Sequence, residues 1–553
     1  MKLQMKSKRI LAILMSAAIL VASFMGCGSS PATSSGTSSE SQSSSETGGE
    51  SSTAEAAPEP GNPELPLTDE PVTFSVYIPW AANFQRIMKD WSENTLWQEM
   101  AERTNVSLTF TSPPVGQETE QFNLMVASGD YPDLLMRVTN AQYKGGVDKA
   151  IADGNYLRLN ELVDKYAPNY KQVINTTDES RKLSYTDEGN IWGFYMYDYA
   201  LDTMTVQGGF TGMTLRQDFL DKYNVKTPVT YDDWHTMLTA FKDNGVEIPL
   251  FLPKNGIPGD EALNAGYGIG ATFYQVDQKV KYGPIEPGYK KFVSTLSQWY
   301  SEGLIDKDFA SRDAAQLENL LVNDKIGAYF DGFWTYDNYK LKASNADFRL
   351  VGVTTPVEKE GDVAHLRQTN FPIRDGGTTV ITKNCSNPEL ATRFIDYLYS
   401  PDGTILANYG REGEGLEYVD GKPQLTDLML KNPDGFTSEL TLVKYAMHTG
   451  PMLRDYTLAL SAFGQDALDT EEIWSRADSA YVLPPITSTA DEGEEISSIM
   501  GDIETLVAEQ TVKFIMGVDS MDNYDAFVEQ IKNMGIDRAI ELKQTALDRF
   551  NNR

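Results

Sequence analysis

From Val72 the chain alternates. Val72, Phe74, Val76 and Ile78 take turns with Thr73, Ser75 and Tyr77, the period-two pattern of a strand with one buried face. A helical stretch is expected over roughly 86–103 before Val106, Leu108 and Phe110 alternate again. Residues 118–128 predict a helix stopped by Gly129, and 134–138 a third strand. The order β-α-β-α-β implies parallel strands wrapped by helices, with ligands beyond the strands' carboxyl ends. Trp80, directly after the first strand, and the 137–143 loop are placed there.

A second α/β unit follows an aromatic run at 191–197. Thr230 with Asp233 three residues on marks a helix start. Trp234, Met237, Leu238 and Phe241 then recur at i, i+3, i+4, i+7, and Gly245 closes the helix. Trp234 is therefore a core residue, as is Trp299, which shares a helix with Tyr289, Phe292, Val293 and Leu296. Residues 325–330 read as a strand, 331–334 as the loop at its end, and 349–353 and 378–382 as further strands. Asn387-Pro388 caps a helix, which Pro401-Asp402-Gly403 breaks. Residues 409–415 form an exposed loop, and 494–550 are largely helical. No internal repeat is evident.

The amino-terminal end follows another pattern. Lys2, Lys6, Lys8 and Arg9 precede an apolar run over 10–25 that ends at Gly26-Cys27. This describes a secretion signal of residues 1–26, shorter than the roughly 20 apolar residues of a membrane-spanning helix. The cut before Cys27 resembles the lipobox of bacterial lipoproteins, although Phe24 and Met25 stand where that motif has Leu and a small residue. The resemblance implies that Cys27 receives lipid; the alternative is an ordinary signal with a chance Cys. Residues 27–70 are mostly Ser, Thr, Gly, Ala, Glu and Pro, too poor in apolar groups to offset ordering entropy, so a disordered tether is expected. About 40 such residues span on the order of 35 Å.

Composition narrows the function. Of 553 residues 41% are hydrophobic and 23% charged, so the body is globular, with no second run long enough to cross a membrane. The net charge is −32, and loss of the four basic residues of the signal leaves 43 basic residues of the original 47 against 79 acidic ones. An evenly acidic surface argues against nucleic acid, which needs a basic footprint. Only Cys27 and Cys385 are present, which excludes a disulfide framework. His235, His365 and His448 lie far apart. Neither a metal nor a cofactor is expected, and no D-x-[DN]-x-[DN]-G calcium loop is found.

Several stretches, taken in order behind the lipobox, carry a wider resemblance: SGDYPDLL, DGNYLRLNELVDKYAPN, DEGNIWGF, LRQDFLDKYNVKTPVTYDDW, WYSEGLIDKDF, KIGAYFDGFW, NPELATRFIDYLYSPDG and VKFIMG. The chain resembles the extracellular solute-binding lipoproteins (family 1-like) of bacterial ABC importers, the class that includes oligosaccharide binders. The resemblance implies an α/β, two-lobed, periplasmic-binding-protein-like fold of type II, with lobes joined by crossing hinge strands. Lobe 1 is expected over 71–200 and 349–410, lobe 2 over 201–348 and 411–553. It further implies a monomer, lipid-anchored on the extracellular face of the bacterial cell membrane. That monomer closes over an oligosaccharide or other small solute and docks on ABC permease subunits.

A pyranose offers an apolar face of C–H bonds and a rim of hydroxyls, which flat rings and charged side chains match. The candidate ligand-binding residues are Trp80, Tyr195, Tyr197, Tyr267 and Trp334, with Asp198, Asp331, Arg374, Arg411 and Glu412 as polar partners. Trp334 leads, because maltose-binding relatives place a stacking Trp after a motif similar to DGFW. Packing is its alternative role, and the Arg411–Glu412 pair also fits a solvated loop.

A surface glycoside hydrolase needs a carboxylate pair, but no eight-fold βα pattern, G-x-S-x-G or P-loop is present, so no catalytic residue is assigned. A peptide is a harder alternative to exclude, because aromatics and Arg serve both cargoes. Replacing Cys27 with Ser is expected to move the protein from the membrane fraction into the medium. Fractionation that leaves it tightly membrane-bound would contradict the anchor.

Overall fold

The strand Val72–Tyr77 runs parallel to Val106–Thr111 on one side and to Leu134–Val138 on the other. Phe74 and Val76 are buried and Thr73 is exposed, as the alternation requires. The structure, a computed structural model, describes residues 59–81, 84–200, 205–206, 209–366 and 371–553. The signal, Cys27 and most of the tether lie outside the described residues.

Ile373–Ile381 adds antiparallel to Leu134–Val138, Phe194–Ala200 lies antiparallel beyond it, and Leu453–Asp455 pairs parallel with Phe194–Ala200. With Thr205–Val206 this makes seven strands. A separate four-stranded sheet has the order Leu350–Gly352, Thr211–Arg216, Ile326–Gly332, Ile248–Leu250. Each sheet has its own core. Phe74, Leu134, Phe194, Val380 and Phe394 pack in one, and Leu215, Trp234, Phe292, Ala328 and Ile503 in the other. Two sheets with two cores make two lobes, and the chain passes between them three times: beyond 200, between 352 and 373, and at 455–456.

Those passages differ from the expected boundaries at 349 and 411. Leu350–Gly352 pairs with Thr211–Arg216, so the segment after 349 belongs to the second lobe. The segment after 411 packs on the first lobe through Leu440, Val443, Met447 and Met452. A short apolar run shows that a strand exists, not which sheet accepts it. The tether also ends before 70: Leu67 is buried and donates its N–H to the Thr104 carbonyl (3.0 Å), and the Gly61 N–H bonds Asn169 Oδ1 (2.8 Å).

Local signals set most helix ends. Glu118–Ser128 ends at Gly129 with φ +72°, and Tyr231–Asp243 starts in a capping box of Thr230 and Asp233. Pro388–Asp396 starts at Asn387 with Pro at the first helical position. The stretch 86–103 differs. Two short turns precede a helix over Thr95–Thr104, whose cap Asn94 also donates to the Val443 and Ala446 carbonyls. A tertiary partner fixes that start. Pro401 closes the stretch begun at Asn387, as expected, and at once opens a new helix, Pro401–Tyr409.

The lobes also meet on one flank. The helix Ala490–Ile515 brings Gly493 against the Gly145 carbonyl, where any Cβ would overlap it. The Gly145 N–H donates to Ser497 Oγ (3.1 Å). Beside this contact the fully buried Asp187 carboxylate pairs with Arg549 (2.6 Å) and with Arg553, and Arg549 also pairs with Glu492. Among the described residues no helix is long and apolar enough to cross a membrane.

In the first lobe Asp396 is buried and accepts hydrogen bonds from the Tyr170 N–H (2.7 Å) and Asn169 Nδ2 (2.9 Å). Burial pushes its carboxyl up to about 6 despite those bonds. The folded state therefore holds the proton more tightly than the unfolded state. Stability tied to this group is fully present below about pH 4 and falls as pH rises through about 6, by on the order of 3 kcal/mol. Asp396→Asn should gain on the wild type by that amount across the same window, which urea titrations at stepped pH would read.

Candidate functional site

The three passages between the lobes converge on one cavity of about 400 Å³. Phe210 lines it from the first, Arg374 and Gly376 from the second, and Arg454, Asp455 and Tyr456 from the third. The first lobe adds Phe84, Arg137, Asn408, Glu439 and His448, and the second adds Phe333, Trp334 and Phe463.

Two irregularities in the first sheet aim the arginines. In the pairing of Ile373–Ile381 with Leu134–Val138, Thr378 faces Val138 and Thr379 faces Met136. Arg137 is thus the extra residue of a bulge, with φ +63°, a left-handed conformation that costs a side-chain-bearing residue about 1–2 kcal/mol. Bulges re-aim side chains and gather near functional sites. On its other edge the same strand slips again: Arg374 faces Met196 and Thr379 faces Phe194. The surplus includes Gly376 at φ +80°, which suits glycine. The two bulges bring Arg137 and Arg374 to the same cavity.

Asp198, on Phe194–Ala200, lies beneath the cavity and is buried. It takes two bonds from Arg454, one of them Nη2 to Oδ2 at 2.9 Å, and stands 3.8 Å from Arg374 Nη1. Its own N–H bonds the Pro372 carbonyl (2.9 Å). Burial lowers the Arg374 guanidinium from its ordinary range, as does Arg454, with Asp198 opposing. Burial likewise brings Arg137 down to about 10, helped by the charge of Arg374, which leaves it protonated at neutral pH. Arg137 donates to the Pro79 carbonyl (3.2 Å) and lies over the Phe84 ring at 5.5 Å.

Glu439 Oε1 stands 3.3 Å from His448 Nε2, while its Oε2 is buried with no partner among the described residues. Burial lowers the His448 pKa against the pull of Glu439, so the ring is neutral at pH 7. Asn408 ties the third passage down by donating to the Leu453 carbonyl (2.9 Å) and accepting from the Asp455 N–H (2.8 Å).

Rings complete the walls. Phe210 packs parallel to Phe333 (6.4 Å) under Arg374, which lies 4.6 Å from the Phe210 centroid. Trp334 meets Phe333 edge-on (5.9 Å) and is partly exposed to the cavity. Its seat depends on Gly332, where any Cβ would overlap the indole.

Of the residues expected at the site, Trp334 and Arg374 line the cavity, and Asp198 supports it from below. Asp331 lies under the Trp334 turn, accepting from Tyr339 Oη (2.6 Å) and the Gly332 N–H (2.8 Å). The others are corrections. Trp80 is buried behind Phe84, 5.1 Å from Trp91. Tyr195 and Tyr197 are fully buried in the first lobe, bonded to the Ser184 carbonyl (3.0 Å) and Ser184 Oγ (2.5 Å), because their strand is covered on both faces. Tyr267 stacks on Tyr231 at 4.1 Å and bonds Thr295 in the second lobe. Arg411 pairs with Glu99 (2.7 Å) and Glu102 (3.0 Å), and Glu412 is exposed beside it, so both sit on a surface loop away from the cavity.

The sequence reading missed Phe84, Phe210, Glu439, His448, Arg454 and Tyr456. Arg454-Asp455-Tyr456 joins charge to an aromatic, yet nothing local marks it as a passage between lobes. Among the described residues no group of three or more His, Cys, Asp and Glu side chains is arranged to hold a metal.

The profile of the family described as bacterial extracellular solute-binding protein matches residues 81–405. The fructooligosaccharide ABC transporter substrate-binding protein FusA of Streptococcus pneumoniae serotype 4 is 24% identical over 487 residues, 84% of this chain and 88% of that protein. Lipoprotein LipO of Bacillus subtilis is 23% identical over 342 residues, 58% of this chain and 63% of that one. Among solved structures, the alginate-binding protein AlgQ2 without calcium ion superposes with a TM-score of 0.70 at 25% identity, covering 87% of this chain and 99% of that one.

Removing Asp198 strands the Arg454 guanidinium in a buried place. Asp198→Ala should therefore cost about 3–5 kcal/mol, seen as a lower urea midpoint, whereas Glu412→Ala on the surface loop should stay within about 0.5 kcal/mol of the wild type.

Proposed function

The chain belongs to the bacterial extracellular solute-binding proteins, and from that premise we propose that it captures an oligosaccharide in the cavity between its lobes. It then delivers this cargo to the permease subunits of an ABC importer. Proteins of this family bind and hand over; they do not transform their cargo. The observation that carries the saccharide reading is the lining itself. Trp334, Phe333, Phe210 and Phe84 offer flat apolar faces, and Arg374, Arg137 and Glu439 offer charged hydrogen-bonding groups between them. A pyranose presents the matching pair, a C–H face and a hydroxyl rim. The similarity to a fructooligosaccharide-binding protein over most of both chains supports the same class of cargo.

The protein works as a monomer held outside the cell by lipid on Cys27. The basic head, the apolar run and the polar stretch to about residue 58 support this anchor, as does the similarity to a lipoprotein.

A thermal-shift panel of oligosaccharides, monosaccharides and peptides tests the reading, since a ligand that binds only the folded form raises the melting temperature by mass action. Oligosaccharides are expected to give the largest shifts, and Trp334→Ala to weaken the best of them by more than about 1 kcal/mol. Shifts with peptides alone would reassign the cargo. Unchanged affinity in a normally melting Trp334→Ala protein would remove that ring from the site.

A further inference from the structure

The carboxylates around the cavity are already engaged. Asp198 is shared between Arg454 and Arg374. Asp455 caps the short helix Tyr456–Leu460 through the Thr457 and Leu458 N–H groups. Glu439 holds His448 with one oxygen and leaves the other unpaired. Arg137 has none of them. Among the described residues its partners are a carbonyl and the face of a ring.

Arg137 is only partly exposed, at the cavity wall, and a cation so placed without a counter-charge is costly; here the cost is compounded. Arg137 occupies a left-handed bulge that sets it beside a second guanidinium, Arg374, itself presented by a bulge. A chain of net charge −32 also has no surplus of basic residues to strew at random.

We propose that the cavity is built for an acidic sugar, a pyranose whose carboxylate binds the guanidiniums of Arg137 and Arg374 while its C–H face rests on the surrounding rings. This inference rests on the saccharide reading above and adds the charge class of the cargo. The planar fork of a guanidinium matches a planar carboxylate with two parallel hydrogen bonds, the strongest kind available to a neutral-pH ligand. The free Glu439 Oε2 suits a sugar hydroxyl, which donates where a carboxylate cannot. A neutral sugar would meet Glu439 and the rings but would leave Arg137 without a counter-charge.

The test uses the mature protein and two kinds of uronate oligosaccharide, oligogalacturonate and oligomannuronate, each beside its carboxyl-reduced counterpart. Affinities are measured by calorimetry at low and high salt. At least one acid form is expected to bind about tenfold or more tightly than its reduced form. That margin should shrink as salt screens the charge. Arg137→Gln should bring the two forms together, and Arg374→Lys, which keeps the charge but loses the fork, should narrow the gap without closing it. If a variant melts early, the comparison of acid and reduced forms on the wild type still decides. Equal binding of the two forms overturns the inference and leaves the saccharide reading in place. Binding of neutral saccharides alone does the same. No binding of any saccharide, acidic or neutral, overturns both.

Discussion

One carboxylate holds the crossing region together. Asp198 sits on the strand that leads into the first passage between the lobes, grips Arg454 just before the third and stands within ion-pair distance of Arg374 just after the second. A buried ion pair adds little net stability compared with a well-packed apolar substitute, because desolvation offsets attraction. What it adds is geometry. Three segments far apart in sequence are held in one arrangement, so the side chains beyond Asp198 face a common space. Asn408, which bonds Leu453 and Asp455 on the strand that enters the third passage, makes the same joint more rigid.

The legibility of the sequence follows the range of the interactions. Strand Val72–Tyr77, helix Glu118–Ser128 with Gly129 behind it, and the Thr230–Asp233 box depend on neighbours within a few residues, and local pattern finds them. The two-lobed architecture was legible through the family resemblance, since the stretches that carry it lie in order along the chain. The lobe boundaries were not, because joining Leu350–Gly352 to Thr211–Arg216 is a choice between two sheets made over more than a hundred residues. The site divides in the same way. Trp334 and the position of the 137–143 loop follow from strand ends, which sequence shows. Tyr195 and Tyr197 misled because an aromatic run looks alike whether its strand lies at an opening or, as here, in the interior with both faces covered. Glu439, His448 and Arg454 arrive from a segment with no motif, placed by tertiary packing alone. The bulge at Arg137 was invisible for a related reason: register belongs to a pair of strands.

The meeting of Gly145 and Gly493 has a mechanical consequence. There two backbones touch with no side chain between them, and the buried cluster of Asp187, Arg549 and Arg553 sits beside them. A second contact between the lobes runs through Asn338, whose Oδ1 accepts from Arg86 and Thr437 at 3.5 and 3.4 Å. Separating the first flank would expose paired charges and open a close-packed seam, whereas separating the second breaks long polar contacts that water can replace. Of the two seams the Asn338 contact is thus the weaker, and the backbone-to-backbone meeting of the glycines the firmer.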